Sequence, residues 1–306
     1  MKFGKLEDVS GIEFLLPPDH PNTAGNLALQ SSMRQTSSSN EKKIYMGGTM
    51  WNIPKWKGKI FPAKTKADQM GPEYCKQFNT IELNATHYKI HGPEVISKWK
   101  NFSQSEFKFC PKFPNLITHY RRFLNSEGLT DEFLLAVSHF EEKLGPSFIQ
   151  LRPDYAPKYA DRLVEYLQTI PEDFELALEF RHPEWFTGNS EAEKVWKLME
   201  ERQISAVISA TAGRRDAIHM RMTSDTLILR FGGYDLHSSD ELRLTQWTER
   251  INHWMELGLN NVYVWIHQFN SIKTPETCVL FGKMLEEKTG IEVKVPEMTE
   301  TQGSLF

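Results

Sequence analysis

The chain has 306 residues, 40% of them hydrophobic and 12% aromatic, enough apolar surface for one large core, and its 36 basic and 40 acidic residues leave a net charge of −4, so no global pull toward nucleic acid or an anionic membrane exists. No apolar run approaches the roughly 20 residues of a membrane helix, and acidic residues interrupt the opening MKFGKLEDVSGIEFLL where a secretory signal would be apolar. Cys75, Cys110 and Cys278 are far apart in sequence and form no CxxC pair, which fits a reducing, cytoplasmic setting and supplies no zinc spacing.

Residues 1–43 hold little periodicity and end in the polar run SSMRQTSSSNEKK, so they are expected to form an arm or linker, partly mobile. The apolar residues 12–16, followed by Pro17 and Pro18, are the candidate for pinning that arm to the body. From residue 44 a pattern recurs: a short β-rich run, a polar loop, then a stretch of helical character. Strands are predicted at 44–50, 80–85, 107–112, 148–152, 175–181, 204–210, 227–231 and 262–267. Helices are predicted at 66–78, 93–102, 131–144, 157–170, 190–203, 240–257 and 275–288. The sixth connection, 211–226, carries at most a short helix. Eight such units without a GxGxxG turn after the first strand predict an α/β protein, a TIM-like (β/α)8 barrel over 44–290 with an N-terminal extension, an imperfect sixth helix and a tail at 291–306. The terminal Leu305 and Phe306 are candidates for a docking peptide.

The stretch ELALEFRHPEWF, 175–186, shows where function is expected. Leu176, Leu178 and Phe180 alternate with Glu179 and Arg181, so one face packs on helices while the charged pair points into the sheet interior. The same rule on the other strands sends Ile81, Leu83, Phe107, Phe109, Ile149, Leu151, Leu227, Leu229, Val262 and Val264 outward to the helices. It leaves Glu82, Asn84, Lys112, Gln150, Arg152, Glu179, Arg181, Arg230, Trp265 and His267 inward, near the carboxyl ends. Barrel enzymes work at that end, and buried polar groups there serve a ligand or one another. A purely structural alternative pairs Glu82 with Lys112 and Glu179 with Arg181 or Arg230, with Gln150 or Asn84 bridging.

The chemistry follows from residue type. Glu82 or Glu179 is a candidate general acid or base, Lys112 an electrophile, oxyanion stabiliser or Schiff-base nucleophile, and His182 and His119 proton shuttles. Arg152, Arg181 and Arg230 suit an anionic group, phosphate or carboxylate. Trp51, Trp56, Tyr88 and Trp185 suit stacking against a sugar or base, while Trp51 and Trp56 also suit a plug for the barrel end. Asn84, Gln150 and His267 complete the expected binding set. No organic cofactor signature is present, and the neighbouring Lys and Arg side chains disfavour a divalent metal, for which no HxH, HExxH or Asp cluster is found.

The segments WNIPKWKGKIFP, FNTIELNATHY, FKFCPKFPNLITH, LGPSFIQL and EFRHPEW together resemble the YecE-like family, a domain of unknown function, over residues 45–285. The resemblance implies a TIM-barrel fold and no particular reaction, and its motif positions fall on Trp51, Trp56, Glu82, Asn84, Tyr88, Lys112, Thr118, His119, Gln150, Glu179, Arg181, His182, Trp185 and Arg230. The chain departs from the family pattern at Arg152, at Gly232 where a His is usual, and at His267 and Gln268 where an Asn pair is common. Taken together, these features predict a hydrolase or a lyase or isomerase acting on a small anionic or phosphorylated, sugar-like substrate. The alternatives are a metal-dependent nucleic-acid phosphodiesterase or repair nuclease, and a binding module without chemistry.

Overall fold

A computed structural model describes residues 3–34 and 41–299. Eight strands, each short and largely buried, alternate with helices: β1 (Lys43–Gly47), β2 (Thr80–Leu83), β3 (Lys108–Pro111), β4 (Ser147–Gln150), β5 (Leu176–Glu179), β6 (Ser205–Ala210), β7 (Thr226–Gly233) and β8 (Asn261–Gln268). The helices are α1 (Asn22–Arg34), α2 (Met70–Gln77), α3 (Ala85–Tyr88), α4 (Pro93–Phe102), α5 (Glu127–Ser138), α6 (Ala160–Gln168), α7 (Ser190–Glu201), α8 (Ser238–Leu257) and α9 (Thr274–Thr289). Their ends have local causes. Asn189 Oδ1 accepts from Ala192 N at 2.8 Å to start α7, Pro93 and Pro275 occupy the first turns of α4 and α9, and Gly290 ends α9 at φ 70°. Helix α5 starts at Glu127, a turn earlier than EFLLAV suggests, because Ser126 O accepts from Thr130 N and Thr130 Oγ1 at 2.8 Å and Thr130 is buried inside the helix.

The strands pair in parallel, in a six-stranded ladder of order β1-β8-β7-β6-β5-β4 and a two-stranded ladder of β2 and β3. An α/β architecture with parallel strands is therefore observed, whereas a continuous closed barrel ladder is not drawn among the described residues. The two seams have physical causes. Between β1 and β2 a side chain replaces backbone: Asn79 Oδ1 accepts from Met46 N at 2.7 Å and its Nδ2 donates to Ile44 O at 3.0 Å. The Tyr74 hydroxyl then spans Gly48 N (2.7 Å) and Thr80 O (3.0 Å). Backbones come so close here that a Cβ on Gly47 would lie 2.0 Å from Thr80 O. Between β3 and β4 only isolated bridges form, at Phe109 with Leu144 and Lys112 with Phe148.

The pleat divides the core as the alternation predicts. Ile81, Leu83, Phe107, Phe109, Ile149, Leu151, Leu227, Leu229, Val262 and Val264 all join the helix-facing core. Tyr45, Cys110, Phe148, Ala177, Val207, Ile228, Tyr263 and Trp265 form a separate cluster on the inner faces of seven strands. Tyr45 and Tyr263 stack at 4.5 Å, and Phe148 meets Trp265 at 5.0 Å.

The N-terminal segment differs from the expected linker. Thr23, Leu27 and Gln30 bury one face of α1, which packs on α8, and Thr23 Oγ1 donates to Met220 O at 2.8 Å and accepts from Met222 N at 3.1 Å. The sixth connection holds only a 3₁₀ turn, Arg215–Ala217, and the N-terminal segment packs against it: Gly213 N donates to Gly4 O, and Val9 and Phe14 bury against Ala212. Within 12–16, Phe14 is buried and Ile12 packs beside it, while Leu15 is exposed. The polar run lies partly outside the described residues, and so do Leu305 and Phe306. Residues 291–299 lie along the body, with Val293 buried and Thr299 N donating to Lys59 O at 2.8 Å. Among the described residues no helix is long and apolar enough to cross a membrane.

Candidate functional site

Period-two spacing from the inner cluster positions the polar end of the strands. Lys112 stands two residues after Cys110, Gln150 after Phe148, Glu179 after Ala177, Ser209 after Val207, Arg230 after Ile228 and His267 after Trp265. Glu82 likewise follows Thr80, and Arg181 follows Glu179. An apolar floor of Phe148 and Trp265 thus carries a polar layer directly above it.

The Arg230 guanidinium is the hub of that layer. Nε and Nη2 donate to Glu82 Oε2 and Oε1 at 3.0 and 2.9 Å, and Nη1 donates to Glu179 Oε2 and Oε1 at 2.7 and 2.9 Å. Glu179 also accepts from Arg181 Nε at 3.1 Å, Ser209 Oγ at 2.8 Å and Gln150 Nε2 at 2.6 Å. Glu82 accepts from Asn84 Nδ2 at 2.9 Å, and His267 Nε2 lies 2.7 Å from its Oε2. Burial alone would raise both carboxyls. Their partners win: Arg230, with the His267 hydrogen bond beside it, holds Glu82 well below its ordinary value, and Arg181 and Arg230 hold Glu179 down at about 2. Burial lowers His267, against the pull of Glu82.

Both carboxylates are therefore saturated, and two cations beside them are not. Lys112 Nζ makes one hydrogen bond, donated to Gln150 Oε1 at 2.9 Å, and has no carboxylate within salt-bridge distance among the described residues. Burial, followed by the repulsion of Arg230, lowers its ammonium to about 8. Arg181 donates from Nε to Glu179, and its Nη groups have no partner among the described residues. Both side chains line a cavity of about 550 Å³ whose walls include Trp51, Ile81, Leu83, Ala85 and Asn84, with Met50, Tyr88 and Phe3 around it. Tyr88 is 76% exposed there. Three cations and two carboxylates give the cavity base a positive balance.

The protein family described as "Protein of unknown function DUF72" matches residues 45–301. The chain belongs to the DUF72 family. It is 27% identical over 281 residues to the UPF0759 protein YecE of Escherichia coli K12, covering 86% of this chain and 100% of that one. It is 28% identical over 153 residues to the UPF0759 protein YunF of Bacillus subtilis 168, covering 47% of this chain and 52% of that protein. Among solved structures, a DUF72 family protein from Enterococcus faecalis V583 superposes with a TM-score of 0.64 at 17% identity over 81% of this chain and 99% of that chain. One from Thermotoga maritima MSB8 gives 0.57 at 22% identity over 79% and 99%. These structural likenesses concern the fold.

Within this DUF72 chain, the cavity gathers Trp51, Glu82, Asn84, Tyr88, Lys112, Gln150, Arg181, Arg230 and His267, with Glu179 buried beneath. Five residues expected at the mouth lie elsewhere. Trp56 is buried in the core between Phe61, Tyr74 and Phe78. Trp185 is buried with its ring stacked on Phe180 at 4.6 Å and its Nε1 donating to Tyr155 O at 2.6 Å. Arg152 turns to the surface, where Asp154 accepts from its Nε at 2.8 Å. His182 caps the turn Pro183–Phe186, its Nδ1 accepting from Glu184 N at 3.3 Å. His119, on a π-helical turn (Leu116–Tyr120), packs edge-on against His87 at 5.0 Å, with Thr118 Oγ1 2.8 Å from its Nδ1. Burial lowers His119 to about 3 and His87 to about 4, so both are neutral near pH 7.

Ser209 and Phe3 were not among the residues the sequence singled out. The alternation rule applied to β6 selects Ser209, whereas Phe3 enters from the arm and carries no periodic signal. The structural alternative is realised in part. Arg230 and Arg181 pair with the glutamates, but Lys112 takes Gln150 in place of Glu82. Among the described residues no three His, Cys, Asp or Glu side chains converge on one point.

Proposed function

We propose that this DUF72 protein is an enzyme of the hydrolase or the lyase and isomerase classes, acting on a small anionic substrate bound where its strands end. In this reading the eight strands make a TIM-like barrel whose ladder is interrupted at two seams. Arg181 and Lys112 bind the anion, Asn84 orients it, and Trp51 and Tyr88 offer faces to an apolar or sugar-like portion. Lys112 is the group that acts, as proton donor, electrophile or nucleophile. Glu82 and Glu179 hold Arg230 in place, and their hydrogen bonds leave little capacity to exchange protons.

The observation that carries this reading is the pair of cations, Lys112 and Arg181, with unused donors on a cavity of small-molecule size, in a layer whose carboxylates are fully engaged. A nucleic-acid phosphodiesterase is the weaker reading, because the cations line a cavity of small-molecule size and the net charge of −4 supplies no general attraction to a polyanion. Buried, unpaired Cys75, Cys110 and Cys278 support a cytoplasmic setting.

The test is a thermal-shift screen of small carboxylates, phosphates and sugar phosphates, with and without divalent cations. A ligand at about 100 times its Kd stabilises by roughly 2.7 kcal/mol. If no anion gives a shift that Lys112→Met removes, the proposal fails.

A further inference from the structure

An amine that only neutralises an anion works best fully charged, and proteins keep such lysines charged by placing a carboxylate beside them. Lys112 is placed otherwise. The acidic side chains nearest it, Glu82 on β2 and Glu179 on β5, are turned toward Arg230 on β7 and Arg181 beyond β5, and the acceptor it receives is the neutral Gln150 amide from β4. Beneath its Nζ lies the Phe148 ring, 5.9 Å to the centroid, and the His87 imidazole on α3 is held uncharged by burial. Gln150 fixes the nitrogen without supplying negative charge, so its free amine form is within reach at neutral pH. With an ammonium lowered to about 8, about one-tenth of the molecules carry free amine at pH 7.

We infer that Lys112 captures carbonyl groups covalently: the substrate class is a small anion that also bears an aldehyde or ketone, its anionic group on Arg181 and its carbonyl carbon at Lys112 Nζ. The inference rests on the anion-binding reading above and deepens it. In the capture step the nitrogen lone pair forms a C–N bond while the C=O π pair moves onto oxygen, which takes a proton to give a carbinolamine. The C–O bond then breaks as the C=N bond forms, and both amine hydrogens leave with the oxygen as one water. No oxidant or reductant is consumed. A proton taken up by the imine makes it an electron sink, which lowers the barrier to breaking a bond at the adjacent carbon, the chemistry of a lyase or isomerase.

The test uses the full-length protein with pyruvate or dihydroxyacetone phosphate as probe and cyanoborohydride as trap, followed by intact mass and peptide mapping. The two probes separate carboxylate from phosphate preference. The expected result is one reduced adduct per chain, on the peptide containing Lys112, from at least one probe. It is abolished in Lys112→Arg and suppressed by excess lactate or glycerol phosphate, anions without a carbonyl. Mapping on the unaltered chain keeps the answer independent of how any variant folds. Adducts scattered over surface lysines with Lys112 unlabelled overturn the inference. So does the absence of adduct while lactate or glycerol phosphate still gives a Lys112-dependent thermal shift, and in that case the anion site stands. Absence of both adduct and shift overturns the two together.

Discussion

Arg230 and Glu82 face each other in a two-bond fork, Nε to Oε2 at 3.0 Å and Nη2 to Oε1 at 2.9 Å, and both side chains are almost fully buried. Burying such a pair costs desolvation that the geometry must offset, so breaking it from one side leaves a buried charge without a partner. Arg230→Met takes the shared guanidinium from two buried carboxylates at once, leaving Glu179 with Arg181 and Glu82 with the Asn84 and His267 hydrogen bonds only. The expected loss is about 3–5 kcal/mol in urea unfolding, and adding Glu82→Gln and Glu179→Gln should recover part of it. A loss below about 1 kcal/mol would show that the fork does not hold the layer together.

The proposed anion binding should separate the cations by location. Lys112→Met and Arg181→Gln should each weaken binding of a small carboxylate or phosphate by roughly 10- to 100-fold, the range expected for losing one charge-assisted hydrogen bond. Arg152→Gln should leave it unchanged, because Arg152 spends its guanidinium on Asp154 at the surface. Isothermal titration with one anion and the three variants decides the matter. Equal losses in all three would return Arg152 to the site.

What the sequence revealed and what it hid have the same cause. Period-two alternation is a strong signal where apolar and polar residues take turns, and it is enough to place Glu82, Lys112, Gln150, Glu179, Arg181, Arg230 and His267 together. Ser209 obeys the same rule, but a serine between Ile208 and Ala210 carries no charge to attract notice. Helix α1 escaped because its buried face has helical spacing at Thr23, Leu27 and Gln30, while two of those three residues are polar and satisfy themselves with hydrogen bonds or contacts that hydropathy does not register. Trp56 and Trp185 show the converse: a loop tryptophan has no periodic neighbours to say whether its ring turns toward a cavity or into the core. The two seams depend on the Asn79 side chain and on the backbone approach at Gly47, which are tertiary facts with no local pattern.

Acid should destabilise the protein in two stages. His87 and His119 are lowered in the folded state to about 4 and about 3, from an ordinary 6.5, so below pH 6.5 the unfolded chain binds more protons and stability falls as pH drops toward those values. Glu82 and Glu179, ordinarily near 4.5, are also lowered, so their contribution is complete above pH 4.5 and is lost as pH falls below that, in the case of Glu179 toward about 2. Urea unfolding from pH 7 to 3 should therefore show a decline that begins near pH 6 and steepens below 4.5. In His87→Gln/His119→Gln the first stage should shrink but not vanish, because burial also lowers His219, to about 3, and His267, and the second should remain.

Phe3 places an aromatic face on the candidate anion site. Its ring lies 4.6 Å from the guanidinium carbons of both Arg181 and Arg214, and it lines the same cavity as Lys112. The backbone beyond it is tied down, Gly4 O accepting from Gly213 N at 2.8 Å and Leu6 N donating to the Tyr234 hydroxyl at 3.0 Å. A cation over an aromatic face at a partly exposed site gains about 0.5–1 kcal/mol, and an anion drawing Arg181 away must overcome that attraction. Phe3→Ala should consequently tighten anion binding by roughly two- to fivefold, with little change in global stability, whereas Phe3→Tyr should keep the original affinity. Titration of the two variants against the parent chain checks this. Weaker binding in Phe3→Ala would instead make the ring part of the wall that grips the ligand.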